Sequence, residues 1–139
     1  MLTLNLALKI ISAALAHGAQ AGLKPLTIAV LDPGGHLVAL HRQDGASNLR
    51  PRIAIAKASG ALDLGISSRA IADMATERPS FVASLGPIAA NGLVPAAGGI
   101  IVTDGGGIVV GAVGVTGDTS DHDEACALAG LAAAGLHPR

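Results

Sequence analysis

The sequence predicts a single α+β domain in which helices pack on an antiparallel sheet, and three observations lead there. The order of elements is helix, hairpin, two helices, hairpin, helix, which lacks the strand–helix alternation of a doubly wound fold. Two glycine-rich turns, Pro33-Gly34-Gly35 and Asp104-Gly105-Gly106-Gly107, each separate apolar, β-branched runs in the manner of hairpins. The chain has 139 residues, half of them apolar, which is enough for one core and too little for two. No internal repeat or low-complexity linker divides residues 1–139.

The elements follow in order. Thr3 is placed to cap a helix running to about Gly22, with Ala7, Ile10, Ile11, Ala14 and Leu15 at helical spacing. Leu26 to Leu31 is a continuous apolar run, the pattern of a strand covered on both faces. His36 to Arg42 is its return strand, with Leu37, Ala39 and His41 on one face and His36, Val38, Leu40 and Arg42 on the other. Ser47 or Asn48 is expected to cap the next helix, with Pro51 in its first turn and Gly65 as its stop. Ser67 or Ser68 caps a shorter helix that Pro79 ends near Arg78. Between Ser80 and Pro95 the pattern weakens, and loop with one short edge strand is expected. Gly99–Thr103 and Ile108–Val115 form the second hairpin, where Gly111 and Gly114 mark a bulge or a close backbone approach. The last helix starts at Ser120, with Asp123 as a carboxylate form of the capping box, and runs to Gly135.

Composition narrows the function. A net charge of -1, nine scattered basic residues and one aromatic side chain, Phe81, argue against a nucleic-acid partner. The single cysteine, Cys126, supports neither an internal disulfide nor a zinc ribbon, and reads as a small buried hydrophobe. No stretch reaches the roughly 20 uninterrupted apolar residues that cross a bilayer, so no membrane partner is expected. The run Leu2–Ala16 has no basic residues before it and carries Lys9 in its middle. It reads as a helix of the domain rather than a secretory signal, and a cytoplasmic location is expected. Abundant Ala and Gly favour flat aliphatic surfaces that bury themselves in a partner, so a homo-oligomer is expected.

Candidate chemistry gathers in two segments. From Asp32 to Lys57 the chain places His36, His41, Arg42, Asp44, Arg50 and Arg52 on one hairpin and the start of one helix. Basic side chains near a helix N-terminus suit a carboxylate or phosphate, whereas Asp32 and Asp44 equally suit turns. Lys57 stands out because it lies in the apolar stretch Ile53–Leu62, where a charge must be paired, reach outward or do chemistry. The second segment, Gly114 to Glu124, leads a strand through Gly117 and Asp118 into a helix that begins with Asp121, His122, Asp123 and Glu124. It matches neither a Walker A loop nor a dinucleotide fingerprint, and its carboxylates would repel a phosphate. They complement the helix dipole, or Asp118, His122 and Glu124 form a metal site or acid/base set. His17 and His137 are each read as lone histidines, the latter in a frayed tail.

Taken together, Val30-Leu31-Asp32-Pro33-Gly34-Gly35-His36-Leu37, Arg42-Gln43-Asp44-Gly45-Ala46, Ile55-Ala56-Lys57-Ala58 and Gly111-Ala112-Val113-Gly114-Val115-Thr116-Gly117-Asp118, with Asp123-Glu124, resemble the GlcG/HbpS-like family. The resemblance spans nearly the whole chain. It implies a five-stranded antiparallel sheet flanked by helices, commonly assembled as oligomers, and relatives that bind haem or serve organic-acid breakdown. The family's motif positions fall on Asp32, Gly34, Gly35, Arg42, Asp44, Gly45, Lys57, Gly114, Gly117, Asp123 and Glu124. Under this resemblance the protein binds haem or another anionic organic molecule, with Arg42, Arg50 or Lys57 pairing its carboxylates and His17 meeting the iron. The alternative is a small isomerase, hydratase or hydrolase in which Arg42 and Arg52 hold a carboxylate and Lys57, Asp118 or His122 moves a proton.

Overall fold

The computed structural model describes all residues from Met1 to Arg139. Five strands form one antiparallel sheet in the order β2-β1-β4-β3-β5. These are β1 (Thr27–Leu31), β2 (Leu37–Arg42), β3 (Gly99–Thr103), β4 (Val109–Thr116) and β5 (His137–Pro138). Helices α1 (Leu4–Gln20), α2 (Arg50–Leu64), α3 (Ser68–Glu77), α4 (Pro79–Leu85) and α5 (Ser120–Ala133) flank it.

Strand alternation sorts the layers. Ile28, Val30, Val113 and Val115 point to one face, where they join Ile10, Ile11 and Ala14 of α1 and Cys126 and Leu131 of α5 in the main core. Leu31 and Ala112 point to the other, against Ala58 of α2. Both faces of the central strands are therefore covered, which is why β1 and β3 are buried at every position. Helix α2 lies so close to the sheet that a Cβ on Gly114 would collide with the Ala54 carbonyl, and one on Gly99 with the Lys57 carbonyl. Small residues on α2, from Ala54 to Ala61, match this approach.

Several expectations are corrected. The segment after Pro79 is not mostly loop: Pro79 occupies the first turn of a new helix, α4, followed by a single 3₁₀ turn at Gly86–Ile88. Proline there ends one helix and starts the next, because its missing N–H falls among donors that a helix leaves free anyway. No strand lies in this segment; the short edge strand is β5, so His137 sits in the sheet and not in a frayed tail. Helix α1 ends at Gln20. Helix α2 takes Leu49 as its cap without any side-chain bond, since the Arg50 and Ile53 amides find the Ser47 and Leu49 carbonyls and Pro51 has no N–H to satisfy. Helix α5 is capped by Thr119, which accepts from the His122 amide, while Asp123 turns inward.

No helix is long and apolar enough to cross a membrane.

Candidate functional site

The first polar segment divides at the level of the sheet, and its second half meets the other segment. Asp32 and His36 lie at the β1–β2 turn, whereas Arg42 pairs with Thr27 and Thr27 with Thr116 at the other end of the strands. Four residues of β1 lie between Thr27 and Asp32, a span of about 17 Å at the rise of a strand. The Asp32 carboxylate accepts from the Gly34 and His36 amides, at 2.9 and 3.0 Å, and meets His36 Nδ1 at 3.2 Å. These bonds, the His36 amide first, hold its pKa below the usual carboxylate value. Asp32 and His36 thus organise a turn remote from the remaining candidates.

The far end of the sheet holds the others. Arg50 donates to Thr116 Oγ1 at 2.7 Å. Lys57, 3% exposed, donates to the Val115 carbonyl at 3.0 Å and pairs with Asp123 Oδ2 at 3.3 Å. The other Asp123 oxygen accepts from the Asp118 amide at 2.9 Å, so both oxygens of the buried carboxylate are used. Desolvation lowers the Lys57 pKa, and the charge of Asp123 works against that shift. Lys57 is consequently a paired internal cation that links α2 to α5 around the strand ends.

Asp118 accepts from the Lys24 amide at 3.0 Å and from the Thr119 amide at 2.8 Å, and its Oδ2 lies 2.7 Å from His122 Nδ1. The Lys24 bond foremost, then His122, hold the Asp118 carboxyl far below its ordinary value. An anion held there keeps the proton of His122 on Nδ1 and leaves Nε2 free at the surface. Glu124 does not join this pair. Its carboxylate accepts from Arg69 Nε at 2.9 Å, and Arg69 also binds Asp121, fastening α3 to α5. Arg69 escaped the sequence analysis because its partners lie more than fifty residues away. No group of three or more His, Cys, Asp or Glu side chains converges to hold a metal ion.

Gly114 and Gly117 are close-packing positions. The first faces the Ala54 carbonyl, and the second, at φ +144°, lies against the Pro25 carbonyl and Leu26. Arg52 is exposed, and no side-chain bond holds it.

The largest concavity, an open groove of about 810 Å³, lies between the second half of α1 and strand β2. Leu15, Ala19, Leu23, Pro25 and Leu40 give it apolar walls, and His41, Arg42, Gln43 and Asp44 line its polar side. Gln43 is occupied structurally, its Oε1 accepting from the Leu26 amide at 2.7 Å. Arg42 uses one nitrogen on the Ala46 carbonyl, at 3.3 Å, which leaves the rest of its fork of donors available. His17 is half-buried and does not line the groove: it lies two residues from both Leu15 and Ala19, about 200° around the helix from each.

A family model described as haem degrading protein HbpS-like matches residues 2–132. The chain belongs to the HbpS-like family. Among solved structures similar to this HbpS-like chain, HbpS of Streptomyces reticuli, as a double mutant, is 31% identical with a TM-score of 0.80, over 94% of this chain and 85% of that one. The Klebsiella pneumoniae protein ORFY is 25% identical with a TM-score of 0.85, over 96% and 90%. A PduOC:heme complex is 20% identical with a TM-score of 0.86, over 98% and 96%, a likeness of fold. Comparison with curated proteins finds no match. The HbpS-like fold expected from the motifs is thus the fold observed, five strands included.

Proposed function

We propose that this HbpS-like chain is a small-molecule binding protein whose ligand is haem or another anionic organic molecule, seated in the groove between α1 and β2. The carrying observation is the groove itself. Its volume of about 810 Å³ lies within the span of about 300–1,000 Å³ usual for small-molecule sites, and apolar walls stand opposite an arginine with spare donors. Haem fits this chemistry: a flat apolar body, carboxylates for Arg42, and an iron centre for an imidazole, which the groove supplies in His41. Bound haem would supply redox and oxygen chemistry, while the chain's own residues bind and orient it. Titration of the purified protein with hemin is the direct test. A Soret band that saturates at a fixed stoichiometry is expected, and Arg42→Ala should weaken binding; a flat titration removes haem as the ligand.

One observation favours a second reading as an enzyme acting on an organic acid. Asp118 holds His122 with Nε2 outward, the arrangement of an oriented general base. Turnover of a panel of small organic acids, followed by NMR for the wild type and His122→Ala, tests it. Conversion by the wild type alone supports the base role, and no conversion by either chain dismisses it.

Self-association belongs to the same proposal. Leu4, Leu8, Leu37, Leu49 and Ile88 are large apolar side chains left substantially exposed. Sedimentation velocity should give a mass above 13.5 kDa, and a purely monomeric boundary at micromolar concentration contradicts it.

A further inference from the structure

We infer that the end of the sheet beneath the first turn of α2 is a binding site for the carboxylate of a small organic acid, held by Arg50, Thr27 and Thr116. The strand register sets Arg42, Thr27 and Thr116 side by side across β2, β1 and β4. Thr27 and Thr116 have the parity of Leu31 and Ala112, which pack on α2, so both hydroxyls belong to the face that this helix covers. The groove proposed for haem has α1 for its wall, and neither threonine nor Arg50 lines it. The carboxylate site is therefore a second one, and it does not depend on the haem reading.

The groups gathered here are donors that lack an acceptor. Thr27 Oγ1 is fully buried and has no hydrogen-bond partner within the chain, a costly state for a hydroxyl. The buried Thr116 hydroxyl accepts from Arg50 at 2.7 Å and donates to no group of the chain. Arg50 is half-buried, that neutral hydroxyl is its only side-chain partner, and no carboxylate pairs with it. Its charged neighbour is another cation, since desolvation first, and the Arg50 charge as well, lower the Lys57 pKa. The first turn of α2 has no acidic residue and no side-chain cap, and the Arg52 amide finds no acceptor, so the positive end of the helix dipole is also unanswered. Arg50 and Lys57 carry two positive charges against the one negative charge of Asp123. A singly charged carboxylate balances that surplus, whereas a phosphate dianion exceeds it. One carboxylate oxygen on the Arg50 fork and the other on the Thr27 hydroxyl would satisfy both groups. Arg50, long and partly exposed, is the side chain that moves to admit the anion.

An NMR titration of the full, isotope-labelled chain with sodium acetate at constant ionic strength tests the site, with inorganic phosphate as the second probe. The amides of Thr27, Thr116 and Arg52 should move along one saturating curve with acetate and not with phosphate. Thr27→Val keeps the shape of the side chain and removes its hydroxyl. It should bind acetate at least about tenfold more weakly, the usual worth of a hydrogen bond to a charged group, yet melt no lower than wild type, because the lost hydroxyl has no partner inside the fold. Arg50→Gln should lose at least as large a factor. The inference falls if acetate moves none of these amides, if Thr27→Val binds as wild type does, or if phosphate alone saturates. A Thr27→Val chain that melts well below wild type would show the hydroxyl to be bonded within the fold, which removes the site's donor. Shifts confined to Ala19 and His41 would put the anion in the groove and overturn the inference as well, whereas the hemin titration bears on the groove alone.

Discussion

Lys57 Nζ lies 3.3 Å from Asp123 Oδ2, and neither side chain retains more than 3% of its surface in solvent. The two residues belong to helices on opposite faces of the sheet and are 66 positions apart. Burying both charges is costly, and the pair is tolerated because the Val115 carbonyl and the Asp118 amide complete its hydrogen bonds. Lys57→Met should therefore destabilise the protein by about 3–5 kcal/mol, because Asp123 is left buried and unpaired. The double variant Lys57→Met, Asp123→Leu should recover much of that loss. Urea unfolding of the two single variants and the double completes the cycle; a single variant as stable as wild type would mean that the pair opens to solvent.

Acid sensitivity follows from Asp118. Its folded pKa lies below the unfolded value, so in acid the unfolded chain binds more protons, and stability rises with pH up to about the unfolded carboxylate value. The contribution is complete above about pH 5 and is lost as pH falls toward the folded pKa. Asp32 and Asp104, each lowered by backbone amides, act in the same direction. Melting temperature plotted between pH 2 and 7 should fall on the acid side, and Asp118→Asn should flatten part of that limb. An unchanged slope would show that Asp118 does not supply it.

Close packing of α2 on the sheet makes Gly114 intolerant of a side chain. Gly114→Ala places a methyl on the Ala54 carbonyl, a backbone atom that moves only with the helix. A loss of about 1–3 kcal/mol is expected from overpacking, measured by thermal or urea unfolding. Gly105→Ala, at an open turn, is the control that should change little.

Cys126 should be inert in the folded protein. Burial, reinforced by the charges of Asp123 and Asp118, pushes its thiol up to about 11, so almost no thiolate forms at neutral pH. Ellman's reagent should react slowly with native protein and at once in denaturant. Rapid native labelling would place the thiol in an exposed environment.

Local pattern made much of the architecture legible. The two hairpins, the Thr3 and Ser67 caps and the stop at Gly65 all depend on residues within a few positions of one another, and the structure has them there. The α4 helix was missed because Pro79 carries a stop signal and a start signal in the same residue, and seven residues are too few for a clear period. Strand β5 is two residues long and has no pattern of its own; it exists because β3 offers an edge.

The candidate site divides along the same line. Local pattern marks Lys57 as a charge that must be paired, reach outward or do chemistry, since within Ile53–Leu62 it cannot be left alone in an apolar layer. Alternation also puts Ala39 and His41 on one face of β2, but an irregularity in its pairing with β1 sets Leu37 opposite Leu31, on the other face, and lets Val38 pack on the same core as Ala39. That it is paired, and with Asp123, that Glu124 answers to Arg69, and that Asp32 and His36 lie a strand's length from Arg42 are properties of the folded chain alone. Strand register and helix docking set those distances, and they depend on contacts between residues far apart in the chain. The groove that unites His41 and Arg42 with Leu15, Ala19 and Leu23 arises in the same way, from the placement of α1 beside the edge strand.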